Sequence, residues 1–220
     1  MSTSQFHGKA FEREVISTCF GVPKEIAESF NDTAIFDIPL GVVTCKHPTG
    51  NPVSIKTAAV KAAARAATVC LSDARRVWSW REQIVLVVGL YNQIGDEKHF
   101  HSIYEFRFNL SELERSKLYG EITLDEVTFF HERLKSFEIG QHAAARAWAK
   151  TLKKAWKART GVIQLNPKID SKNQRRLQCS AAITALVDAC EDSELFRDEY
   201  RGLQLPYVVS SSSREFRSST

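Results

Sequence analysis

The chain lacks the features that mark several common classes of protein. Its five cysteines are odd in number and widely spaced, and they form neither a CxxC pair nor a finger-like Cys/His spacing. We therefore expect reduced thiols and no structural zinc. No run approaches the roughly 18 consecutive apolar residues of a membrane span, and the N-terminus has no basic region followed by an apolar one. These absences predict a cytoplasmic protein that does not interact with membranes.

Motifs for nucleotide and acyl chemistry are also missing. The chain contains no P-loop, no GxGxxG and no GxSxG, and neither an ATPase nor a methyltransferase motif. Its composition, 43% hydrophobic and 25% charged over 220 residues, is typical of a soluble globular protein. We expect one domain over residues 1–209, followed at 210–220 by a disordered tail that opens with four consecutive serines.

The net charge is mild, but its distribution along the chain is uneven. The formal net charge is +4, whereas residues 146–176 hold ten Lys and Arg residues against a single acid, Asp170. The rest of the chain is therefore negative overall. Such asymmetry predicts a polyanionic partner at one face of the protein.

The periodicity of the apolar residues predicts an α/β fold in which a central mixed sheet is flanked by helices. We predict helices at 8–20, 23–30, 58–80, 111–117, 123–136 and 140–159. We predict strands at 33–38, 53–57, 84–91, 102–108 and 161–166. The apolar run at 84–91 is continuous, which is typical of a strand covered on both faces. Residues 176–192 fit either a strand or a helix, followed by a helix.

Asp37 and Lys56 carry the clearest chemistry in the sequence. Asp37 lies in one predicted strand, within Ile-Phe-Asp-Ile-Pro, and Lys56 lies in the next, within Pro-Val-Ser-Ile-Lys-Thr. Carboxylate oxygens bind Mg²⁺, and a nearby ammonium group stabilises charge on a phosphate. An acid and a lysine on neighbouring strands can therefore hold a metal ion beside a phosphate.

In this order and setting the residues resemble the PD-(D/E)xK nuclease superfamily, best known from type II restriction endonucleases, over roughly residues 8–91. That family has an acid at a strand end, an acid-x-Lys on the next strand and then a helix. The resemblance implies a restriction-endonuclease-like core, Mg²⁺ as cofactor, and Asp37, Ser54 and Lys56 as catalytic residues, with Asp37 also a metal ligand. Ser54 stands where the family has Asp or Glu, and no proline precedes Asp37.

The carboxylate missing at Ser54 has two candidate replacements. Some restriction endonucleases carry Ser-x-Lys and recover the acid from the following helix. On the predicted helix 58–80, Asp73 falls within the apolar stripe, where a lone carboxylate is costly unless it is paired or binds metal. Glu12 is the other candidate, because Gly8-x-x-Phe11-Glu12 looks like the helix that precedes the active strands in the same superfamily. The alternatives are an arginine-paired Asp73 and a solvated Glu12.

The basic segment consists of a helix and a loop that together span about 142–178. One face of the predicted helix carries only cations, and these are Lys150, Lys153, Lys154 and Lys157. Like charges at i, i+4 destabilise a helix, and phosphate contact offsets that repulsion. The loop is rich in side chains that read guanine and adenine edges, and its candidates are Lys168, Lys172, Asn173, Gln174, Arg175 and Arg176. A solvated helix face and an ordinary basic loop are the alternatives.

Together these features predict a Mg²⁺-dependent, sequence-specific endonuclease of double-stranded DNA, of the type II restriction class. One active site per chain and two strands to cut imply a homodimer, because palindromic sites match two-fold symmetry. Two alternatives remain. The first is a non-catalytic DNA- or RNA-binding protein of α/β fold, which Ser54 favours. The second is a structure-specific resolvase or repair nuclease.

Overall fold

The computed structural model of the chain describes residues 3–30, 35–60, 67–81, 83–170 and 174–210. The helices, in chain order, are α1 (Thr3–Glu14), α2 (Lys24–Ser29), α3 (Ala74–Trp78), α4 (Glu112–Tyr119), α5 (Leu124–Lys135), α6 (His142–Trp156) and α7 (Ile183–Ala189). The strands are β1 (Val53–Ala59), β2 (Thr68–Asp73), β3 (Ile84–Ile94), β4 (Glu97–Phe108), β5 (Gln164–Ile169), β6 (Arg175–Ala182), β7 (Ser193–Phe196), β8 (Glu199–Tyr200), β9 (Leu203–Gln204) and β10 (Tyr207–Ser210). A π-helical turn, Val15–Cys19, continues α1.

The contacts within the chain divide it into two compact units. The first consists of Met1–Ala67, Gln83–Phe108 and Asp192–Thr220. The second consists of Thr68–Glu82 and Asn109–Glu191. Each unit has its own sheet, and the chain is a mixed α/β protein. None of the described helices is long and apolar enough to cross a membrane.

The first unit is built on a mixed sheet of strand order β1-β3-β4-β10, in which β7 also pairs with β4. Strands β1 and β3 are parallel, whereas the other pairs are antiparallel. Residues 84–90 of β3 are all buried, as expected of a strand covered on both faces. The parallel β1–β3 pair is the part of the sheet that carries Lys56.

Helix α1 packs on this sheet at a position that has no side chain. Gly89 of β3 lies beneath the Phe11 ring, and a Cβ atom at Gly89 would come within 2.4 Å of that ring. Phe11 also stacks on Phe100 of β4, with the ring centroids 4.1 Å apart. This close approach determines how α1 lies on the sheet, and therefore where the next residue, Glu12, is held.

The second unit contains an antiparallel sheet of order β2-β6-β5 and the helices α3 to α7. Helix α5 begins with a capping box, in which Thr123 and Glu126 satisfy each other's backbone N–H groups. Trp78 of α3 donates from Nε1 to the carbonyl oxygen of Ile122 at 2.9 Å. Helix α3 is thereby joined to the segment that leads into α5.

Most of the predicted elements are confirmed, with ends shifted by a few residues. They are the helices at 8–20, 23–30, 111–117, 123–136 and 140–159 and the strands at 53–57, 84–91 and 102–108. The strand predicted at 161–166 begins and ends a few residues later, as β5. For 176–192 the first alternative is correct, because strand β6 leads into helix α7. Of the predicted tail, 211–220 lies outside the described residues, and Ser210 ends β10.

Two predicted elements are wrong. The helix at 58–80 is replaced by the end of β1, the whole of β2 and the short α3, while 61–66 lies outside the described residues. In β2, Val69 and Leu71 are buried between exposed neighbours, so the period is two, as in a strand. The strand at 33–38 is reduced, in its described part, to one bridge between Ile38 and Val53. The next residue, Pro39, has no N–H with which to extend a ladder.

Candidate active site

Asp37 and Lys56 meet at the outer edge of β1. The Lys56 Nζ atom lies 2.8 Å from Asp37 Oδ2, and the two side chains are each 20% exposed. The backbone N–H of Asp37 donates to the carbonyl of Val53, which holds the segment before β1 against that strand. The predicted pair of an acid and a lysine is thus assembled, although the acid comes from a bent segment and not from a strand.

Ile55, which carries no functional group of its own, contributes backbone groups to this pair. Its N–H donates to Asp37 Oδ2 at 2.5 Å, and its carbonyl oxygen accepts from Lys56 Nζ at 2.8 Å. Ser54 is buried, and its hydroxyl lies 3.5 Å from the same Asp37 oxygen, at the limit of a hydrogen bond. Backbone groups leave no trace in residue identity, so no sequence signal could have identified Ile55.

Glu12 belongs to the same group of charges. Burial, and then repulsion from Asp37, raise the pKa of the Glu12 carboxyl to about 7, while Lys56 acts in the opposite direction. The structure therefore brings together Glu12, Asp37, Ser54 and Lys56, four of the five residues predicted for the catalytic and metal site. A cation beside these two carboxylates offsets their repulsion, as the Lys56 ammonium does in part.

Asp73 has a different environment from the one predicted. It ends β2 and lies in the second unit, where its side chain accepts the backbone N–H of Arg75 as the N-cap of α3. Its carboxylate also lies 3.6 Å from the Arg75 guanidinium. The predicted helix that placed Asp73 in an apolar stripe does not exist, so the reason for choosing it as a metal ligand no longer holds.

Glu105 is a second buried carboxylate in the first unit, and its oxygens are already engaged. Arg201 donates to both of its oxygens, at 3.0 and 2.9 Å, and Arg107 and Tyr200 donate as well. Burial alone would raise the pKa of Glu105, but these hydrogen bonds and the two cations lower it. Glu105 therefore joins β4 to the β8–β9 hairpin and is not free to take part in the site.

The donor set at Glu12 and Asp37 fits Mg²⁺. Within the described ranges, no group of three or more His, Cys, Asp or Glu side chains is arranged to hold a metal ion. Two carboxylates suffice for Mg²⁺, which takes oxygen ligands and is usually held by one or two carboxylates together with water and substrate phosphates. The raised pKa of Glu12 is the feature that a cation would reverse.

The basic helix of the second unit is present as α6. Its inner face buries Ala145, Ala149 and Trp156, and Trp148 packs on Phe130 with the ring centroids 5.2 Å apart. The predicted cationic face lies on the other side. On that face, Lys150, Lys154 and Lys157 are exposed, whereas Lys153 is half-buried and burial lowers its pKa.

The predicted base-reading loop is in large part a β-hairpin. Lys168 lies in β5 directly opposite Arg176 in β6, and both side chains are exposed. Arg175 points to the other face, where it donates to the Asp170 carbonyl and lies 2.9 Å from His142 Nδ1. Gln174, directly before β6, is exposed. The remaining candidates, Lys172 and Asn173, lie outside the described residues.

Comparisons of the chain with protein-family models, with curated proteins and with solved structures found no match. The resemblance to PD-(D/E)xK nucleases accordingly stays a prediction. Function must be inferred from the groups around Asp37 and from the charge of the second unit.

Proposed function

We propose that the chain is a Mg²⁺-dependent endonuclease of double-stranded DNA with a restriction-endonuclease-like core in its first unit. One observation carries this proposal. Glu12, Asp37 and Lys56 are distant in sequence, yet they form one partly buried group of two carboxylates and an ammonium. Such a group suits a metal ion next to a phosphate, and the cationic face of α6 suits a phosphate backbone.

Each residue has a definite role in this mechanism. Asp37 and Glu12 would hold Mg²⁺, which would supply an activated water and neutralise charge on the phosphate. The Ile55 N–H keeps the Asp37 carboxylate oriented toward Lys56. The Lys56 ammonium stabilises the negative charge that develops on the phosphate. Because the pKa of Glu12 is about 7, metal affinity should rise with pH as Glu12 loses its proton.

We infer that the chain acts as a homodimer, because two-fold symmetry places one such site at each strand of a palindromic duplex site. With sequence-specific binding added, this is the behaviour of a type II restriction enzyme. Ser54 supports the competing proposal of a non-catalytic DNA- or RNA-binding protein, because an active PD-(D/E)xK site carries a carboxylate at that position. Glu12 weakens that alternative, since it brings a second carboxylate to Asp37.

A substrate panel distinguishes these proposals. Closed circular plasmid, linear duplex, single strand and a four-way junction would each be incubated with the full chain, in Mg²⁺ and in EDTA. Discrete fragments from duplex DNA in Mg²⁺ are the expected result. Cleavage confined to the junction would support the resolvase or repair alternative. Binding without cleavage of any substrate would support the non-catalytic alternative and contradict the proposal.

The exposed lysines of α6 should contact phosphates without reading sequence. Replacing Lys150, Lys154 or Lys157 by Ala should weaken binding to every duplex about equally. Each lysine that contacts a phosphate releases about one condensed counterion from the DNA, and the variant loses that release. The slope of log affinity against log salt should fall by about 1 for each variant. Lys153, which is half-buried, should contribute less than the other three.

Lys24→Ala is the matched control for this series, because it removes the same charge from an exposed position on α2 in the first unit. Its salt slope should equal that of the wild type. Filter binding or fluorescence anisotropy between 50 and 200 mM salt covers the range in which such slopes are measured. If the salt slope were unchanged in all three α6 variants, α6 would not be part of the surface that contacts DNA.

A further inference from the structure

The ladder between β5 and β6 continues beyond the end of β2, with Leu177 buried on one face and Arg176 exposed on the other. Strand β2 pairs with β6 only from Gln178 onward, so residues 167–169 and 175–177 pair with each other alone. We call residues 167–170 and 174–178 the arm. A two-stranded ribbon of this kind has the cross-section that the major groove of B-DNA admits.

The outward face of the arm is strongly cationic. Lys168 and Arg176 lie directly opposite each other across the two strands, and both are exposed. Like charges at directly opposed positions destabilise a sheet. In the part of the chain that the structure describes, neither side chain has a carboxylate partner within salt-bridge distance. A polyanion is the partner that relieves this repulsion.

Gln178 extends the same face along β6. It lies two residues after Arg176, so both side chains project to the same side of the strand, about 6.8 Å apart. Successive base pairs are about 3.4 Å apart, so the two side chains span two base steps. Across the ladder Asn166 faces Gln178, but the Asn166 amide already donates to Ser180 Oγ at 2.6 Å.

The opposite face of the arm is fixed to α6. Arg146 donates to the Ile169 carbonyl through Nε and Nη2, at 3.3 and 3.0 Å. Arg175 lies 2.9 Å from His142 Nδ1. These contacts support the arm on the first half of α6, on the same side of the helix as Lys150, which lies one turn after Arg146. Arg175 therefore holds the arm against α6 and does not belong to the outward face that carries Arg176.

We propose that the arm enters the major groove of duplex DNA and reads bases through Lys168, Arg176 and Gln178, while α6 holds the adjoining phosphates. The proposal rests on the proposed function, because it takes duplex DNA as the substrate. Arg and Lys contact the O6 and N7 atoms of guanine, and Gln contacts the N6 and N7 atoms of adenine. The preferred site therefore contains a guanine and, two base pairs away, an adenine.

Sequence preference in binding tests the proposal independently of cleavage. The full chain would select duplexes from a randomised library in EDTA, in parallel with Arg176→Ala, Gln178→Ala and Lys154→Ala. The wild type should select a site with that guanine and adenine. Arg176→Ala should lose the guanine preference and Gln178→Ala the adenine preference. Lys154→Ala should select the same site with weaker binding, as expected of a phosphate contact.

A change in the DNA provides a second test, and its result for the wild type does not depend on how a variant folds. Placing 7-deazaguanine at the selected guanine removes N7 and keeps the base pair, so wild-type binding should weaken by about 10-fold or more. Arg176→Ala should be insensitive to it. The proposal would be overturned if Arg176→Ala and Gln178→Ala kept the wild-type base preferences, or if the deaza base had no effect. It would also be overturned if the wild type did not bind duplex DNA or bound it without base preference. The nuclease assignment stands or falls separately, on cleavage in Mg²⁺.

Discussion

Asp37→Ala and Lys56→Ala are each expected to lower the rate of DNA cleavage by at least ~100-fold, the scale of losing a positioned electrostatic group. Asp37 is the carboxylate that accepts from Lys56 and from the Ile55 N–H at once. Its loss releases Lys56 and, under the proposed mechanism, removes a metal ligand. The loss of Lys56 removes the cation that we propose stabilises the phosphate.

Both variants should still fold, at a cost on the order of 2–3 kcal/mol, because each leaves one partner of a pair that is only 20% exposed without its counter-charge. The rate would be measured as single-turnover cleavage of a duplex in Mg²⁺. Asp96→Ala serves as the matched control, since Asp96 is an exposed acid of the same unit in the β3–β4 turn. Cleavage at the wild-type rate by either site variant would remove the assignment of these positions.

Glu12→Gln is expected to stabilise the protein above pH 7 and to abolish Mg²⁺-dependent cleavage. The pKa of Glu12 is raised from 4.5 to about 7 in the folded chain. Between those values the folded chain holds a proton that the unfolded chain releases, so stability falls as pH rises through this window. Above pH 7 the charged Glu12 costs on the order of 3 kcal/mol, and Gln removes that cost.

Unfolding in urea at pH 5 and at pH 8 measures this effect. The gain in the free energy of unfolding should be small at pH 5 and largest at pH 8. Mg²⁺ should stabilise the wild type at pH 8, because binding to the folded state shifts the equilibrium, and it should stabilise Glu12→Gln much less.

Asp73→Asn is the comparison, and it should respond to Mg²⁺ like the wild type and cleave normally. A Mg²⁺ requirement that shifts in Asp73→Asn and not in Glu12→Gln would exchange the roles of the two acids.

The strands that position the site were predictable because their signals are local. Residues 84–91 form a continuous apolar run. The segment around Lys56 follows turn-forming prolines in the sequence, and in the structure it pairs in parallel with β3. Glu12 was found from its place beside Phe11. Its raised pKa was not predictable, since it depends on how closely α1 approaches the sheet, and that approach depends on Gly89 more than 70 residues away.

The helix predicted at 58–80 failed for a physical reason. Alanine has the highest helix propensity, but propensity is a weak prior that tertiary contacts override. Strand β2 is stabilised by pairing with β6, a hundred residues further along the chain. The alternation of Val69 and Leu71 with exposed neighbours was the available signal. Missing it turned the N-cap Asp73 into an apparent core carboxylate.

The basic element was predicted in composition but not in form. Helix α6 followed from its amphipathic pattern. The sequence predicted a strand at 161–166 and left 176–192 open between strand and helix, but the polar residues between them were predicted to form a loop. Pro167 is tolerated because β5 is the edge strand of its sheet. Which of Arg175 and Arg176 faces outward is set by the β5–β6 register, which only the structure defines.

The most direct test of the account compares the wild type with Asp37→Asn on closed circular plasmid. The two proteins would be purified in the same way and incubated with the plasmid in Mg²⁺ and in EDTA. We predict discrete linear fragments from the wild type in Mg²⁺ alone, and no cleavage by Asp37→Asn under either condition. Cleavage that persists in EDTA, or that Asp37→Asn performs as well as the wild type, would contradict a metal-dependent site at Asp37.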